Sequence, residues 1–152
     1  MELITDRTHA DCERAAYIIK KVHAGEMLTE AERTEYFGGL RGAYTMVHDW
    51  NRVELVVRNF SEKLGLGLVT KTNWSYQDVA TQEEIQRYLG NVATVYDALD
   101  NKRGLPQPPT IEKWIDYRMA NDIETIMKKA EIQSIGYAML DVSAYLDAAV
   151  LG

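Results

Sequence analysis

FGGLRGAYTMVHDWNRVELVVRNFSEKL, residues 37–64, is the stretch whose reading sets the architecture. Gly38, Gly39 and Gly42 fall close together at its start, so a preceding helix has to end there and the backbone is free to turn or to press against another backbone. Beyond them Val47, Trp50, Val53, Val57, Phe60 and Leu64 recur at spacings of three and four, which places them on one face of a helix. Asp49, Asn51, Arg52 and Glu54 crowd the flank of that helix, so it offers a core face and a dense polar edge together.

Toward the N-terminus, residues 6–23 read as a helix with Cys12, Ala15, Ile19 and Val22 on one face and Arg7, Glu13, Arg14 and Lys20 off it; Gly25 supplies the stop. Thr29-Glu30-Ala31-Glu32 has the form of a capping box and opens a short helix to Phe37. In the other direction, Leu64 to Thr70 alternates apolar with small residues, which suits a brief extended segment or an irregular loop better than a helix and leaves room for one short β-ribbon. Lys71 to Ala80 is a polar connection that carries Trp74 and Tyr76. A second capping box, Thr81 to Glu84, precedes a stripe of Ile85, Tyr88, Leu89, Val92, Val95, Tyr96 and Leu99.

Asp100 to Pro109 holds all three prolines, so regular structure stops there. Thr110 to Ile115 has the makings of one turn, and Asp116 is a fitting N-cap for a helix through about Gln133 with Ala120, Ile123, Met127 and Ala130 facing inward. From Gly136 the chain reads GYAMLDVSAYLDAAVLG, which fits a helix or an extended segment equally well and is more apolar than a frayed end. The expected fold is mainly α: a single-domain bundle of four to five helices over residues 1–135. Residues 136–152 form a candidate anchor to the bundle or to a partner, with Tyr137, Met139, Leu140, Tyr145, Leu146, Val150 and Leu151 as its contact residues.

The 152 residues suit one domain with a core of its own, and 46% hydrophobic with 26% charged residues is ordinary globular composition. A net charge of −6 without a basic stripe argues against nucleic-acid binding, which draws on clustered Lys and Arg. One cysteine, Cys12, excludes an internal disulfide, and the sequence shows neither a secretory leader nor an apolar run long enough to span a membrane. Synthesis in a cytoplasm is therefore expected.

No nucleotide-binding glycine loop, nucleophile elbow or zinc-protease motif occurs, and His9 with Cys12 makes only half a metal site, so neither catalysis, cofactor nor metal is expected. The polar edge of the 37–64 stretch is better read as structure. Arg52 is expected to meet Glu124, or Asn51 to meet Asn121, across two long helices, because buried charges need partners. Trp74 and Tyr76 are candidate glycan contacts if both are exposed, although a loop Trp that caps one end of a helical core is the commoner case.

Several segments carry a likeness in fixed order. They are Thr5-Asp6-Arg7-Thr8 with Ala10-Asp11, Gly42-Ala43-Tyr44 followed by Asp49 and Asn51-Arg52-Val53-Glu54, Trp74 with Asp78, Tyr88-Leu89-Gly90-Asn91-Val92, and Ala120-Asn121-Asp122-Ile123-Glu124. Together, over residues 5–130, they resemble a family of small phage and prophage proteins of Gram-positive gut bacteria, encoded among tail, baseplate and fibre genes. The resemblance implies a non-catalytic structural or host-attachment part of a virion, made in the host cytoplasm, with other virion proteins and further copies of itself as partners. A head decoration or fibre-anchoring protein, and a glycan-binding adhesin, are the alternatives. It also marks Asn51, Arg52, Asn121 and Glu124 as pattern residues. Family members often finish with a Gly- and Glu-containing tail, whereas residues 138–152 here are more apolar.

Overall fold

Threonine begins three of the helices. The computed structural model describes residues 2–110 and 115–151, with the backbone alone at 141–145, 147, 150 and 151. Helices α1 (His9–His23), α2 (Glu30–Gly38) and α4 (Gln82–Ala98) start at Thr8, Thr29 and Thr81. In each case the hydroxyl accepts from a backbone N–H three residues on, while an acid at that position accepts from the threonine N–H. The capping N–H is the main cause holding the carboxyls of Asp11 and Glu84 below the usual carboxylate range. The first of these boxes, Thr8 with Asp11, starts α1 later than the expected residue 6 and leaves Arg7 outside the helix.

A π-helical turn, Met46–Trp50, leads directly into α3 (Asn51–Leu64). Its signature is the Thr45 carbonyl, which accepts from Asp49 N at 2.8 Å and from Trp50 N at 3.1 Å. The wide turn adds a residue to the helical period. Asp49 is thereby buried, whereas Val47, expected on the apolar stripe, is only half-buried. Trp50, Val53, Val57 and Phe60 do face the core.

Helix α5 (Tyr117–Leu151) is capped by Asp116, whose Oδ1 accepts from Met119 N at 2.9 Å, and runs unbroken for 35 residues through Gly136. Residues 136–151 are thus helical rather than extended. The expected single turn over 110–115 lies mostly outside the described residues.

The molecule is a single, mainly helical domain. Its core is a three-helix arrangement in which α3, α4 and α5 pack pairwise. Val53, Val57, Phe60, Tyr88, Val92, Val95, Ile123, Ile126 and Met127 are almost fully shut off from water there. Trp50 stacks on Tyr88 with centroids 4.4 Å apart and takes the edge of Trp74 at 5.4 Å. A small satellite core of Ala15, Ile18 and Leu40 lies between α1, α2 and the loop after it. Ile18, not Cys12 or Val22, is the fully buried side chain of α1.

No strand occurs among the described residues, and the β-ribbon expected near 64–70 is absent. After the left-handed stop at Gly65, with a second left-handed glycine at Gly67, this segment is irregular and bonds to helix side chains instead of a strand. Leu68 N donates to Ser61 Oγ at 3.0 Å, and the Val69 carbonyl accepts from Asn91 Nδ2 at 2.7 Å and Arg87 Nη1 at 3.1 Å. Leu68 and Val69 thus find partners without a ladder.

The α1 end of the molecule is attached by backbone contact at Gly42. A Cβ there would sit 2.1 Å from the Asp11 carbonyl oxygen, with backbone on the opposing side that cannot rotate away. Gly42→Ala is therefore expected to destabilise the fold by about 2–3 kcal/mol, read as a lower urea midpoint with unchanged slope.

Candidate functional site

Four charged side chains from four parts of the chain meet as a buried polar clasp, Arg7 and Glu124 fully shut off from water and Asp49 and Arg52 nearly so. Arg7 comes from the N-terminal segment, Asp49 from the π turn, Arg52 from the first turn of α3 and Glu124 from α5. Glu124 Oε1 accepts from Arg7 Nη2 at 2.6 Å and Arg52 Nη2 at 2.5 Å, and its Oε2 accepts from Arg52 Nε at 3.0 Å and Ile4 N at 2.7 Å. Asp49 Oδ1 accepts from Arg7 Nη2 at 2.8 Å and Arg52 Nη2 at 2.6 Å, while its Oδ2 takes Thr45 N at 2.7 Å. Arg7 also donates to the carbonyls of Ile4 and Arg41, at 2.7 and 3.0 Å. Two guanidiniums face two carboxylates, so the cluster is neutral in sum. Burial alone would lower the Arg52 pKa, but Glu124 and then Asp49 carry it above the ordinary arginine value, and the side chain stays charged.

The expected meeting of Arg52 with Glu124 is present. The expected pairing of Asn51 with Asn121 is not: each amide instead brackets both backbone groups of one residue in an irregular segment. Asn121 accepts from Arg7 N and donates to Arg7 O, both at 3.0 Å. Asn51 accepts from Trp74 N at 2.7 Å and donates to Trp74 O at 2.9 Å. An amide offers one donor edge and one acceptor edge, which matches a peptide unit's own pattern.

Sequence reasoning missed Arg7 as a buried partner, having set it on the first helix away from the apolar face, and it took Asp49 only as one of the polar flank of the 37–64 helix. The signal for Arg7 was the overlooked Thr8-x-x-Asp11 box, which puts Arg7 ahead of the helix, where its side chain is free to turn inward.

A second buried acid, Glu54, holds the 69–74 segment to α3 and α4. Its Oε2 accepts from Lys71 N at 3.1 Å and Trp74 Nε1 at 2.9 Å, and its Oε1 pairs with Arg87 Nη1. Lys71 Nζ lies 3.9 Å from the Trp74 ring centroid. Trp74 is consequently only 3% exposed, which removes it as a glycan contact; Tyr76 is 65% exposed and points elsewhere. Tyr76 stands at the rim of a cleft of about 400 Å³ floored by Leu40, Met46 and Val47, where its hydroxyl is 3.1 Å from His48 Nε2. The two rings do not form one platform.

Of the C-terminal contact residues, Tyr137 turns back to the body, with its hydroxyl donating to Asp100 Oδ2 at 3.0 Å and accepting from Gln133 Nε2 at 2.9 Å. Met139, Leu140 and Leu146 are 69%, 67% and 56% exposed. Tyr145, Val150 and Leu151 belong to α5, but their side chains lie outside the described set. Among the described residues no cluster of His, Cys, Asp and Glu suits a metal ion, and no helix is long and apolar enough to cross a membrane. No family model, curated protein or solved structure matches the chain.

Removing one member of a buried charge cluster leaves its partners uncompensated. Glu124→Gln is expected to cost about 3–5 kcal/mol in urea unfolding at neutral pH, since both guanidiniums lose their shared carboxylate. Beside the clasp, Tyr44 and Tyr88 share a 2.5 Å hydrogen bond, and burial raises the pKa of both hydroxyls. A folded pKa above the unfolded value of about 10 gives stability that is complete below that pH and lost as pH rises beyond it. The wild-type urea midpoint should thus fall more steeply between about pH 9 and 11 than that of a Tyr44→Phe, Tyr88→Phe double variant.

Proposed function

We propose that the protein is a structural component of a phage particle, part of its tail or baseplate, that works through protein–protein contacts and without catalysis. The observation that carries this reading is the last part of α5, which continues beyond the Tyr137 contact with Met139, Leu140 and Leu146 exposed. Large apolar side chains gathered on a projecting helix mark a surface to be covered by protein. The sequence likeness to proteins encoded among tail, baseplate and fibre genes supplies the setting: assembly in the host cytoplasm into a virion.

The acids and bases that stand closest together support the same view. Arg7, Asp49, Arg52 and Glu124 bond to one another and to backbone inside the protein, an arrangement that suits the fixing of helices. Particle assembly repeats one contact many times, so a rigid body with a modest docking helix suffices.

Truncation after Ala138 keeps the Tyr137 bonds and the whole core. The shortened chain is expected to unfold at nearly the wild-type temperature and to be missing from purified particles that contain the full chain. Absence of the intact chain from particles would overturn the virion assignment, and full incorporation of the truncated chain would overturn the role given to the end of α5.

A further inference from the structure

Four of the five exposed large apolar side chains described in α5 fall on one row of the sequence. Ile132, Ile135, Met139, Val142, Leu146 and Ala149 follow one another at spacings of 3, 4, 3, 4 and 3, the a and d positions of a heptad repeat. The four large side chains of that row whose exposure is described, Ile132, Ile135, Met139 and Leu146, are 58%, 57%, 69% and 56% exposed. At 100° per residue the row lies roughly a third of a turn from the face that buries Ala120, Ile123, Met127 and Ala130, so it is a separate seam and not the fringe of the core. From 132 to 149 it runs for roughly 27 Å.

We propose that this seam is the core of a parallel coiled coil that α5 forms with further copies of the same chain. Charge selects the occupant. The seam contains no charged residue, and in a parallel pair the flanking g and e positions set Glu131 opposite Gly136, Ala138 opposite Ser143 and Tyr145 opposite Val150. No carboxylate faces its own copy, and no flanking charge demands a partner of opposite sign. The two remaining acids of the segment, Asp141 and Asp147, occupy the outer c and b positions. β-branched Ile at both a (Ile132) and d (Ile135) favours three strands over two.

The inference deepens the assembly reading by naming one partner as the chain itself. It is tested in solution on the purified full chain, so its failure is separate from failure in particles. Sedimentation equilibrium should show concentration-dependent association to a trimer. Met139→Glu should weaken it at least about tenfold, and adding Leu146→Glu should leave a monomer with an unaltered melting curve for the bundle. Leu140 is the internal control: at 67% it is as exposed as Met139 but sits at an outer b position, so Leu140→Glu should leave the association constant unchanged. A wild-type chain that stays monomeric at its highest soluble concentration would overturn the proposal. Equal loss from Leu140→Glu and Met139→Glu would also overturn it, because that is the behaviour of an unspecific greasy patch. All three positions are exposed, and circular dichroism on each variant confirms that the comparison is between folded chains.

Discussion

Glu124, wholly buried near the start of α5, binds two guanidiniums and a backbone N–H at once, and the arrangement of the other elements depends on its doing so. A carboxylate removed from water is costly to leave alone, and so is a guanidinium. The low-dielectric interior that makes an unpaired charge intolerable also makes well-aligned pairs strong. Arg7 and Arg52 therefore have one acceptable arrangement, with Asp49 as second acceptor, and that arrangement fixes where the N-terminal segment, the π turn, α3 and α5 stand relative to one another. Apolar stripes alone would allow α3 and α5 to slide by a turn. The clasp does not.

The same economy of polar groups operates where the chain is neither helix nor strand. Residues 2–8 and 66–74 have no regular secondary structure, so their backbone groups need partners from elsewhere. Here helix side chains provide the partners. Asn121 brackets Arg7, Asn51 brackets Trp74, and Ser61, Glu54 and Asn91 meet the groups between. Each segment is thereby held against helices.

The π turn links these two features. By inserting one residue into the period it turns Asp49 toward Arg7 and Arg52 while Trp50 remains under Tyr88. It also leaves Val47 and His48 on the wall of the cleft that Tyr76 rims. Helix α5 serves the core along one stripe and leaves Ile132, Ile135, Met139 and Leu146 exposed along another, and at 35 residues it is the longest of the described helices.

The helices themselves were legible in the chain. Stripes such as Tyr88, Val92 and Val95 need only the 3.6-residue period, and the Thr29 and Thr81 boxes need only three residues of spacing; both are local rules. Local rules failed where a distant partner decides. The run 64–70 leaves both a strand and an irregular loop open in the sequence, because nothing nearby shows that Asn91 and Ser61 will meet its backbone. Trp74 reads as either a core cap or an exposed aromatic, and Glu54, twenty positions earlier, is what draws its indole inward. Of the clasp, Arg52 with Glu124 was anticipated from the need to pair buried charge, but Arg7 lies 117 residues from Glu124 and only the packed structure joins them. The sequence thus determined which segments form the helices, where α2 and α4 begin and end, and most of the apolar stripes of α3 to α5, since these follow from neighbours within a turn. Tertiary structure alone decided which polar groups share the interior, because hydrogen bonding and desolvation act through space and are indifferent to separation along the chain.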